Sequence, residues 1–373
     1  MEMFVYGTLQ SAKLLAAVAG GPPLRVVEAT LDGYEVRPVA GNVVPLISAK
    51  AGGVTGGLVV SQISAAQLAR LDAYESAFGY TLIDVDVQVA GAVKSVKMYL
   101  PPDDIAVGEG DWSLAVWTAG HETVAVLGAR ELFSYDPPLS LEGVRRRWPM
   151  IEKRAWAKLR AGAQEGPVTV RRNAADQDLT VTEMDSPRGN FFALQSLKLH
   201  YQQFDGQRSD VLPREVFVGI DASLVLPYDP KRDRISLVEQ IRIGPVVRGD
   251  RQPWMLEPIA GMVDARETPL QAAIRESEEE AGLTDLDMRH ISSFYPSPGS
   301  STDYFHAYVG LCDLPDDHVS FGGLEEEAED LRLHLLSFDD AMALVATGEI
   351  NAGPLVMMLY WLATQRDALR GLR

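Results

Sequence analysis

One short helix constrains this chain more than any other segment, because the sequence marks both of its ends. Thr268, Pro269 and Gln271 form a capping box with proline at the first helical position. Gly282 follows the last apolar position and suits the left-handed residue that ends a helix. We therefore predict a helix over 268–281.

Three glutamates of this helix share one face. Glu276, Glu279 and Glu280 stand at positions i, i+3 and i+4, so their carboxylates converge. Like charges at this spacing destabilise a bare helix by about 0.2–0.5 kcal/mol per pair. A hard cation such as Mg²⁺ turns the repulsion into a binding site, since it prefers carboxylate oxygens, water and phosphate. A solvated acidic face is the alternative interpretation of the three glutamates alone.

Length and charge limit the classes of function. A chain of 373 residues exceeds one ordinary core, so two domains are expected. The formal net charge of -18 repels phosphate backbones and acidic membranes, which argues against nucleic-acid and membrane partners. The single cysteine, Cys312, cannot form an internal disulfide, and the first residues carry no basic or long apolar leader. We expect a cytoplasmic protein.

The predicted secondary structure changes twice along the chain, from mixed strands and helix to helix and then back to strands. Short β-branched runs alternate with glycine-rich turns at the start, and strands are predicted at 4–6, 24–31, 54–60 and 83–89, with a helix over 64–74 capped by Ser64. The stretch 111–162 is helical and rich in Arg, Lys and Trp, which indicates a connector. Further strands are predicted at 194–204, 215–226 and 235–243, and helices at about 339–347 and 354–369.

The segment 261–283 resembles the Nudix box. That pattern is a glycine, five residues, a glutamate, seven residues and then Arg-Glu-U-x-Glu-Glu-x-Gly-U, where U is aliphatic. The positions in register are Gly261, Glu267, Arg275, Glu276, Glu279, Glu280, Gly282 and Leu283. Ser277 departs from the pattern at an aliphatic position, and we interpret it as a packing variation that leaves the chemistry intact.

The resemblance implies a site for Mg²⁺, with Mn²⁺ as the alternative. It assigns four ligands: Glu276 and Glu280 as the principal ones, Glu279 directly or through water, and the backbone carbonyl of Ala260. It also implies that Arg275 pairs with Glu267 or Glu279 and orients that carboxylate. The chemistry implied is hydrolysis of a diphosphate bond.

The flanks of the box resemble ADP-ribose pyrophosphatases. The similar segments are 239–242, 254–261 and 296–299. By this resemblance Arg242 contacts substrate phosphate, although a surface charge is its alternative reading. Glu257 lies in the pocket, and the turn of Ser297 and Gly299 shapes its ribose side.

A later loop, 323–334, resembles the one that carries the catalytic glutamate in these enzymes. It places the base at Glu327, with Glu329 as the supporting or alternative residue. Members of the subfamily form homodimers by exchanging N-terminal β segments, here about 168–204, where an exposed aromatic side chain is expected to stack on adenine.

The N-terminal sequence Phe-Val-Tyr-Gly-Thr-Leu, residues 4–9, resembles the opening of the γ-glutamylcyclotransferase-like (AIG2-like) barrel. The resemblance makes the turn of Tyr6, Gly7, Thr8 and Leu9 a set of backbone donors to an amino-acid substrate. It makes Glu75 the general base. Ser76 and Thr81 replace a usual glycine and a frequent arginine, so a structural or ligand-sensing module is favoured over an active cyclotransferase.

Together these features predict an α+β protein of three parts. They are a small β-barrel at 1–110, a helical connector at 111–165 and a Nudix α/β/α sandwich with a mixed sheet at 166–373. The pairing resembles a bacterial family associated with tellurite resistance. The expected activity is metal-dependent cleavage of ADP-ribose or a related nucleoside diphosphate sugar, with ADP-glucose, GDP-mannose and NADH as other substrates. A nucleotide-sugar sensor without turnover and a bifunctional enzyme are the alternatives.

Overall fold

The computed structural model describes residues 1–163, 166–318, 321–323 and 330–371. The chain divides into two compact units, Met1–Arg214 and Glu215–Arg373. The domain bounds predicted from sequence at 110 and 165 stay predictions. In the structure, the strands from 179 to 201 form a sheet separate from the barrel. No helix in the described ranges has the length and apolarity needed to cross a membrane.

A closed five-stranded barrel opens the first unit. Its order is β1-β3-β2-β4-β5, and parallel pairing of Met3 with Lys97 closes it. Phe4, Val59 and Met98 lie buried in its interior. The strands are β1 Met3–Val5, β2 Arg25–Pro38, β3 Pro45–Ser61, β4 Thr81–Val89 and β5 Ala92–Leu100. The predicted small barrel is confirmed.

Two helices pack beside the barrel. Helix α1, Ala12–Ala19, is capped by the Ser11 hydroxyl, which accepts from the Leu14 amide at 3.1 Å. Helix α2, Ala65–Glu75, begins with the predicted Ser64 cap, completed into a capping box by Gln67. Because a capping box satisfies amides that have no partner within the helix, it fixes where α2 starts.

The helical connector consists of α3, Leu114–Leu132, and α4, Leu141–Ala163. An ion pair joins the two helices: the fully buried Arg154 donates from Nε to Glu131 Oε1 at 2.9 Å. Removing one member of such a pair would leave an uncompensated buried charge. A small sheet follows, with β6 Leu179–Met184, β7 Arg188–Gly189 and β8 Ala193–Tyr201, and β9 Leu212–Val218 leads into the second unit.

The second unit is built on an eight-stranded mixed sheet. Its order is β14-β15-β10-β11-β17-β16, with β12 beside β11 and β13 beside β10. Strands β10 and β15 are parallel, and the other neighbouring strands of this sheet, among the described residues, are antiparallel. The strands are β10 Asp221–Asp229, β11 Arg234–Ile241, β12 Trp254–Glu257, β13 Ile259–Met262, β14 Asp287–Phe294, β15 Tyr304–Leu311, β16 Phe321–Gly322 and β17 Leu331–Ser337.

Helices cover both faces of this sheet. The helices of the unit are α5 Ile243–Arg248, α6 Pro269–Ala281, α7 Phe338–Thr347 and α8 Gly353–Gly371. Alternate residues of β10 enter different cores: Val225 packs with Ala273 of α6, whereas Leu224 packs with Leu359 of α8. This alternation follows from the two-residue period of a strand. The predicted sandwich with a mixed sheet is confirmed.

Candidate active site

The position of α6 follows from its ends. Thr268 and Gln271 form the predicted capping box, Pro269 is the first helical residue, and Gly282 adopts the left-handed conformation at φ 63. Inside the helix, Ala272 and Ala273 are fully buried. Because both ends and the apolar face are fixed, the direction of the acidic face is fixed as well.

Glu276 and Glu280, on the acidic face of α6, lie against two consecutive residues of β13. Glu280 is only 1% exposed, and its Oε2 accepts a hydrogen bond from the Ala260 amide at 3.2 Å. The Glu276 carboxylate lies over Gly261, where a Cβ would stand 1.8 Å from Glu276 Oε1. The two carboxylates therefore converge on consecutive residues, Ala260 and Gly261, and only a glycine at 261 leaves room for Glu276.

Arg275 holds the carboxylates of this region together. Its Nε and Nη2 donate to the two oxygens of Glu267, both at 3.0 Å. Its Nη1 donates to Glu276 at 2.6 Å and to Glu279 at 2.9 Å. Burial lowers the pKa of Arg275, but its hydrogen bonds to Glu267 and to the other carboxylates outweigh burial and raise the pKa. The expected pairing with Glu267 and Glu279 is thus present, and Glu276 joins it.

Ser277 occupies the aliphatic position of the box. It is fully buried, and its hydroxyl donates to the Ala273 carbonyl one turn earlier at 2.7 Å. A buried hydroxyl is costly only when it lacks a partner. The serine therefore replaces an apolar side chain without disturbing the acidic face.

The donor set suits a divalent cation. Carboxylate oxygens from Glu276 and Glu280 lie beside the backbone of Ala260, and such oxygens are the ligands that Mg²⁺ and Mn²⁺ prefer. Within the described residues, no three acidic, histidine or cysteine side chains already form a group that could hold a metal ion. Arg275 contributes to this arrangement because its guanidinium bonds to both Glu276 and Glu279.

Arg242 and Glu257 both precede the Nudix box in the sequence and were both expected to contact substrate. In the structure they contact each other. Arg242 Nε donates to Glu257 Oε2 at 2.6 Å. Burial raises the pKa of Glu257, while Arg242 works in the opposite direction. Glu257 ends β12 and precedes Ala260 by three residues in the sequence. The register of β11 with β12 brings the two side chains together as a charged pair.

The turn after the box has the expected shape. Ser297 and Ser300 join their hydroxyl groups at 2.8 Å, and the Ser300 and Ser301 amides donate to the Ser297 carbonyl. Gly299 is exposed, with open space where a Cβ would lie.

The two candidate bases, Glu327 and Glu329, lie outside the described residues. Gly322, shortly before them, packs on the end of α6: a Cβ there would stand 1.6 Å from the Glu280 carbonyl oxygen. This contact of Gly322 was not predicted from the sequence. The feature that could have indicated it is a glycine within a strand, which often marks a close approach of another backbone.

A second group of candidate functional residues lies at the barrel. The turn after β1 holds Tyr6 and Gly7, and Thr8–Gln10 forms one turn of 3-10 helix that includes Leu9. Gly7 is required sterically, since a Cβ there would lie 2.6 Å from Pro45 Cγ. The turn is closed by the Gln10 amide, which donates to the Gly7 carbonyl at 3.0 Å.

Glu75 ends α2 and interacts electrostatically with Tyr6 and Tyr80. Burial raises the pKa of Glu75 to about 7. Burial is the larger cause and the charge of Glu75 the smaller cause that together raise the pKa of Tyr80 to about 12. Tyr99 also belongs to this cluster: it accepts from the Tyr6 hydroxyl through its carbonyl at 3.1 Å. Tyr99 could not be predicted from the motifs around residues 6 and 75, because it lies on β5, the last strand of the barrel in sequence.

Comparison with known proteins agrees with this geometry. Residues 3–114 match the family model described as gamma-glutamyl cyclotransferase, AIG2-like, and residues 220–358 match the NUDIX domain. An ADP-ribose pyrophosphatase of Haemophilus influenzae is 37% identical over 190 residues, which cover 50% of this chain and 87% of that protein. The chain belongs to the Nudix hydrolase family.

Other relatives of this Nudix hydrolase differ in the substrate that their names state. An ADP-ribose pyrophosphatase of Escherichia coli K12 is 34% identical over 55% of this chain and 95% of its own length. A GDP-mannose pyrophosphatase of E. coli O139:H28 is 28% identical over 50% of this chain and 96% of its own. A crystal structure of an ADP compounds hydrolase, 21% identical, covers 53% of this chain and 98% of its own with a TM-score of 0.41. Nudix hydrolases generally use divalent metal ions.

Proposed function

We propose that this Nudix hydrolase cleaves ADP-ribose to AMP and ribose 5-phosphate with Mg²⁺, for which Mn²⁺ substitutes. The observation that carries the proposal is the convergence of Glu276 and Glu280 on Ala260 and Gly261. The choice of ADP-ribose is supported by the relatives of that name, whose identity to this chain exceeds that of the GDP-mannose pyrophosphatases.

The acidic side chains have separate roles in this proposal. Glu276, Glu280 and the Ala260 carbonyl would hold the divalent cation, which offsets the diphosphate charge and lowers the pKa of an attacking water. Glu279 assists, directly or through water. Arg275 keeps these carboxylates from turning away, because one guanidinium bonds to several of them at once.

The remaining residues act on the substrate. Arg242 binds a phosphate while Glu257 fixes the direction of its guanidinium. The turn of Ser297 and Gly299 forms the ribose side of the pocket. Glu327 accepts a proton from the attacking water, with Glu329 as the alternative base. The water oxygen bonds to phosphorus, and the bridging oxygen leaves with the other phosphate.

A substrate panel tests this function. ADP-ribose, ADP-glucose, GDP-mannose and NADH would each be incubated with purified protein and Mg²⁺, and nucleoside monophosphate would be measured. We expect the highest kcat/KM for ADP-ribose. Higher efficiency with GDP-mannose would overturn the substrate assignment, and no product from any member would overturn the hydrolase assignment. Glu280→Gln, an isosteric change, is the control for contaminating activity.

A nucleotide-sugar sensor is the alternative from another class. It would show a higher Tm with ADP-ribose while no AMP forms. A sensor has no chemical need for the complete set of box carboxylates, of which Arg275 bonds to Glu267, Glu276 and Glu279. Product formation by the wild type and its loss in Glu280→Gln would exclude the sensor.

The barrel supports a second candidate function, γ-glutamylcyclotransferase activity. A carboxylate whose pKa lies near 7 suits a general base, and Glu75 interacts electrostatically with Tyr6. In the proposed step, Glu75 takes a proton from an α-amine, and the amine nitrogen bonds to the γ-carbonyl carbon. The bond from that carbon to the γ-amide nitrogen then breaks, and Glu75 returns the proton to the nitrogen, which leaves as an amine. The test is formation of 5-oxoproline from a γ-glutamyl dipeptide. Its absence in the wild type, or its persistence in Glu75→Gln, would leave a structural or ligand-sensing module.

We also propose a cytoplasmic homodimer formed through the Nudix domain. The region 168–204 carries exposed aromatics, among them Phe192 at 68% and Phe204 at 96% exposed, which suit stacking on adenine across an interface. Light scattering after size exclusion would measure the mass, and a monomer would refute the proposal. The resemblance to a tellurite-resistance family stays a prediction.

A further inference from the structure

A cavity of about 470 Å³ opens where helix α4 begins. It is lined by residues of the connector between Tyr135 and Arg147 and by the segment 186–189. We call it the connector cavity. None of its lining residues belongs to the barrel site or to the Nudix box. Its volume falls within the range of about 300–1,000 Å³ typical of small-molecule sites.

Three arginines line the connector cavity: Arg146, Arg147 and Arg188. Arg147 Nε donates to the Gly189 carbonyl at 3.1 Å, and Arg146 Nη2 reaches only the Asn190 amide oxygen at 3.4 Å. In the part of the chain that the structure describes, neither of these two pairs with a carboxylate. Arg188 makes a single exposed pair with Asp185 at 3.5 Å. Uncompensated guanidinium groups are unexpected in a chain of net charge -18, and they give the cavity a local affinity for anions.

The start of α4 adds to this preference. The helix begins at Leu141, and the Ser140 hydroxyl accepts from the Gly143 amide at 3.1 Å. The first amides of any helix have no partner within the helix and carry a partial positive charge. With 23 residues, α4 is long enough for this effect to be fully developed. The arginines and the helix start therefore act in the same direction.

Two carboxylates share the lining, Asp136 and Glu142. A bare phosphate would gain nothing from them. The hydroxyl groups of a sugar would be bound by these carboxylates, because a carboxylate readily accepts hydrogen bonds from hydroxyl groups. We propose that the connector cavity binds a phosphorylated sugar, with the phosphate on the arginines and the sugar hydroxyls on the carboxylates.

The test is isothermal titration of the full chain without divalent metal, using ribose 5-phosphate, inorganic phosphate and ribose as separate probes. We expect ribose 5-phosphate to bind and Kd to rise at least tenfold in Arg146→Gln/Arg147→Gln, since each lost charge-assisted hydrogen bond weakens binding by about that factor. Arg146→Gln alone covers the case in which the double variant does not fold. Arg25→Gln, an exposed arginine of the barrel, is the matched control and should bind as the wild type does.

The Nudix site must be separated from the connector cavity in this experiment. Glu276→Gln should leave the titration unchanged, whereas the arginine variants should leave ADP-ribose hydrolysis unchanged. Binding that survives in Arg146→Gln/Arg147→Gln, or no binding of ribose 5-phosphate to the wild type at millimolar concentration, would overturn the proposal. Equal affinity for inorganic phosphate and ribose 5-phosphate would overturn the role of the carboxylates.

Discussion

Gly261→Ala would move the Glu276 carboxylate without changing its chemistry. A Cβ at this position would stand 1.8 Å from Oε1 and 1.9 Å from Cδ of Glu276, whereas ordinary contact begins at 3.4 Å. The carboxylate must therefore retreat by about 1.5 Å. Because a misplacement of about 1 Å can cost about 10²-fold in rate, we expect kcat for ADP-ribose to fall about 100-fold or more. That loss corresponds to about 2.7 kcal/mol in the barrier.

The assay compares initial rates across a Mg²⁺ titration with the Tm of the same preparations. Stability should fall by no more than about 1–3 kcal/mol, because the clash is with the flexible end of a side chain. Gly353→Ala is the control, since its Cβ would meet open space. Adding Glu276→Asp to Gly261→Ala shortens the side chain by one methylene and should recover part of the rate. If Gly261→Ala keeps kcat within about twofold of wild type, Glu276 does not act from its place over Gly261.

Three further changes test other parts of the structure. Arg275→Lys should lower metal affinity about 10–100-fold, because a lysine cannot hold several carboxylates at once; metal titration of activity measures this, and unchanged affinity would refute the positioning role. Burial raises the pKa of Glu75 to about 7, so the stability that this group contributes should be lost as pH rises from about 4.5 to 7. Urea unfolding should therefore show that wild type and Glu75→Gln differ in pH dependence by at most about 3 kcal/mol over this range, and identical pH profiles would contradict the raised pKa. Gly322→Ala should destabilise by about 1–3 kcal/mol and slow turnover, because its Cβ would meet the backbone of Glu280; an unchanged Tm and rate would disprove that packing.

Local signals in the sequence predicted much of the fold. The Ser64 and Thr268 caps and the Gly282 end lie where the pattern places them, because capping depends on residues within one turn. Helix α1 was not predicted. Its buried residues Leu14, Leu15, Val18 and Ala19 do recur at helical spacing, but eight residues are only about two turns, too few for the period to mark a helix, and packing in the first unit decides its conformation.

Long-range contacts account for what the sequence could not predict. The strand expected over 215–226 is two strands, because the chain turns at Gly219, where a Cβ would lie 1.6 Å from Asp303 Oδ1. Arg242 and Glu257 were predicted separately, and only the register of β11 with β12 brings them together. The contact of Arg275 with Glu267 depends in the same way on how the loop after β13 returns to α6.

Metal dependence of ADP-ribose hydrolysis in Glu276→Gln and Glu280→Gln tests the central claim most directly. Both changes keep the size of the side chain and remove its charge. We expect AMP formation by the wild type to require Mg²⁺ or Mn²⁺, and both variants to lose orders of magnitude in kcat while their Tm changes little. Turnover near that of the wild type in either variant, or hydrolysis that persists in excess chelator, would contradict a metal held by these two carboxylates.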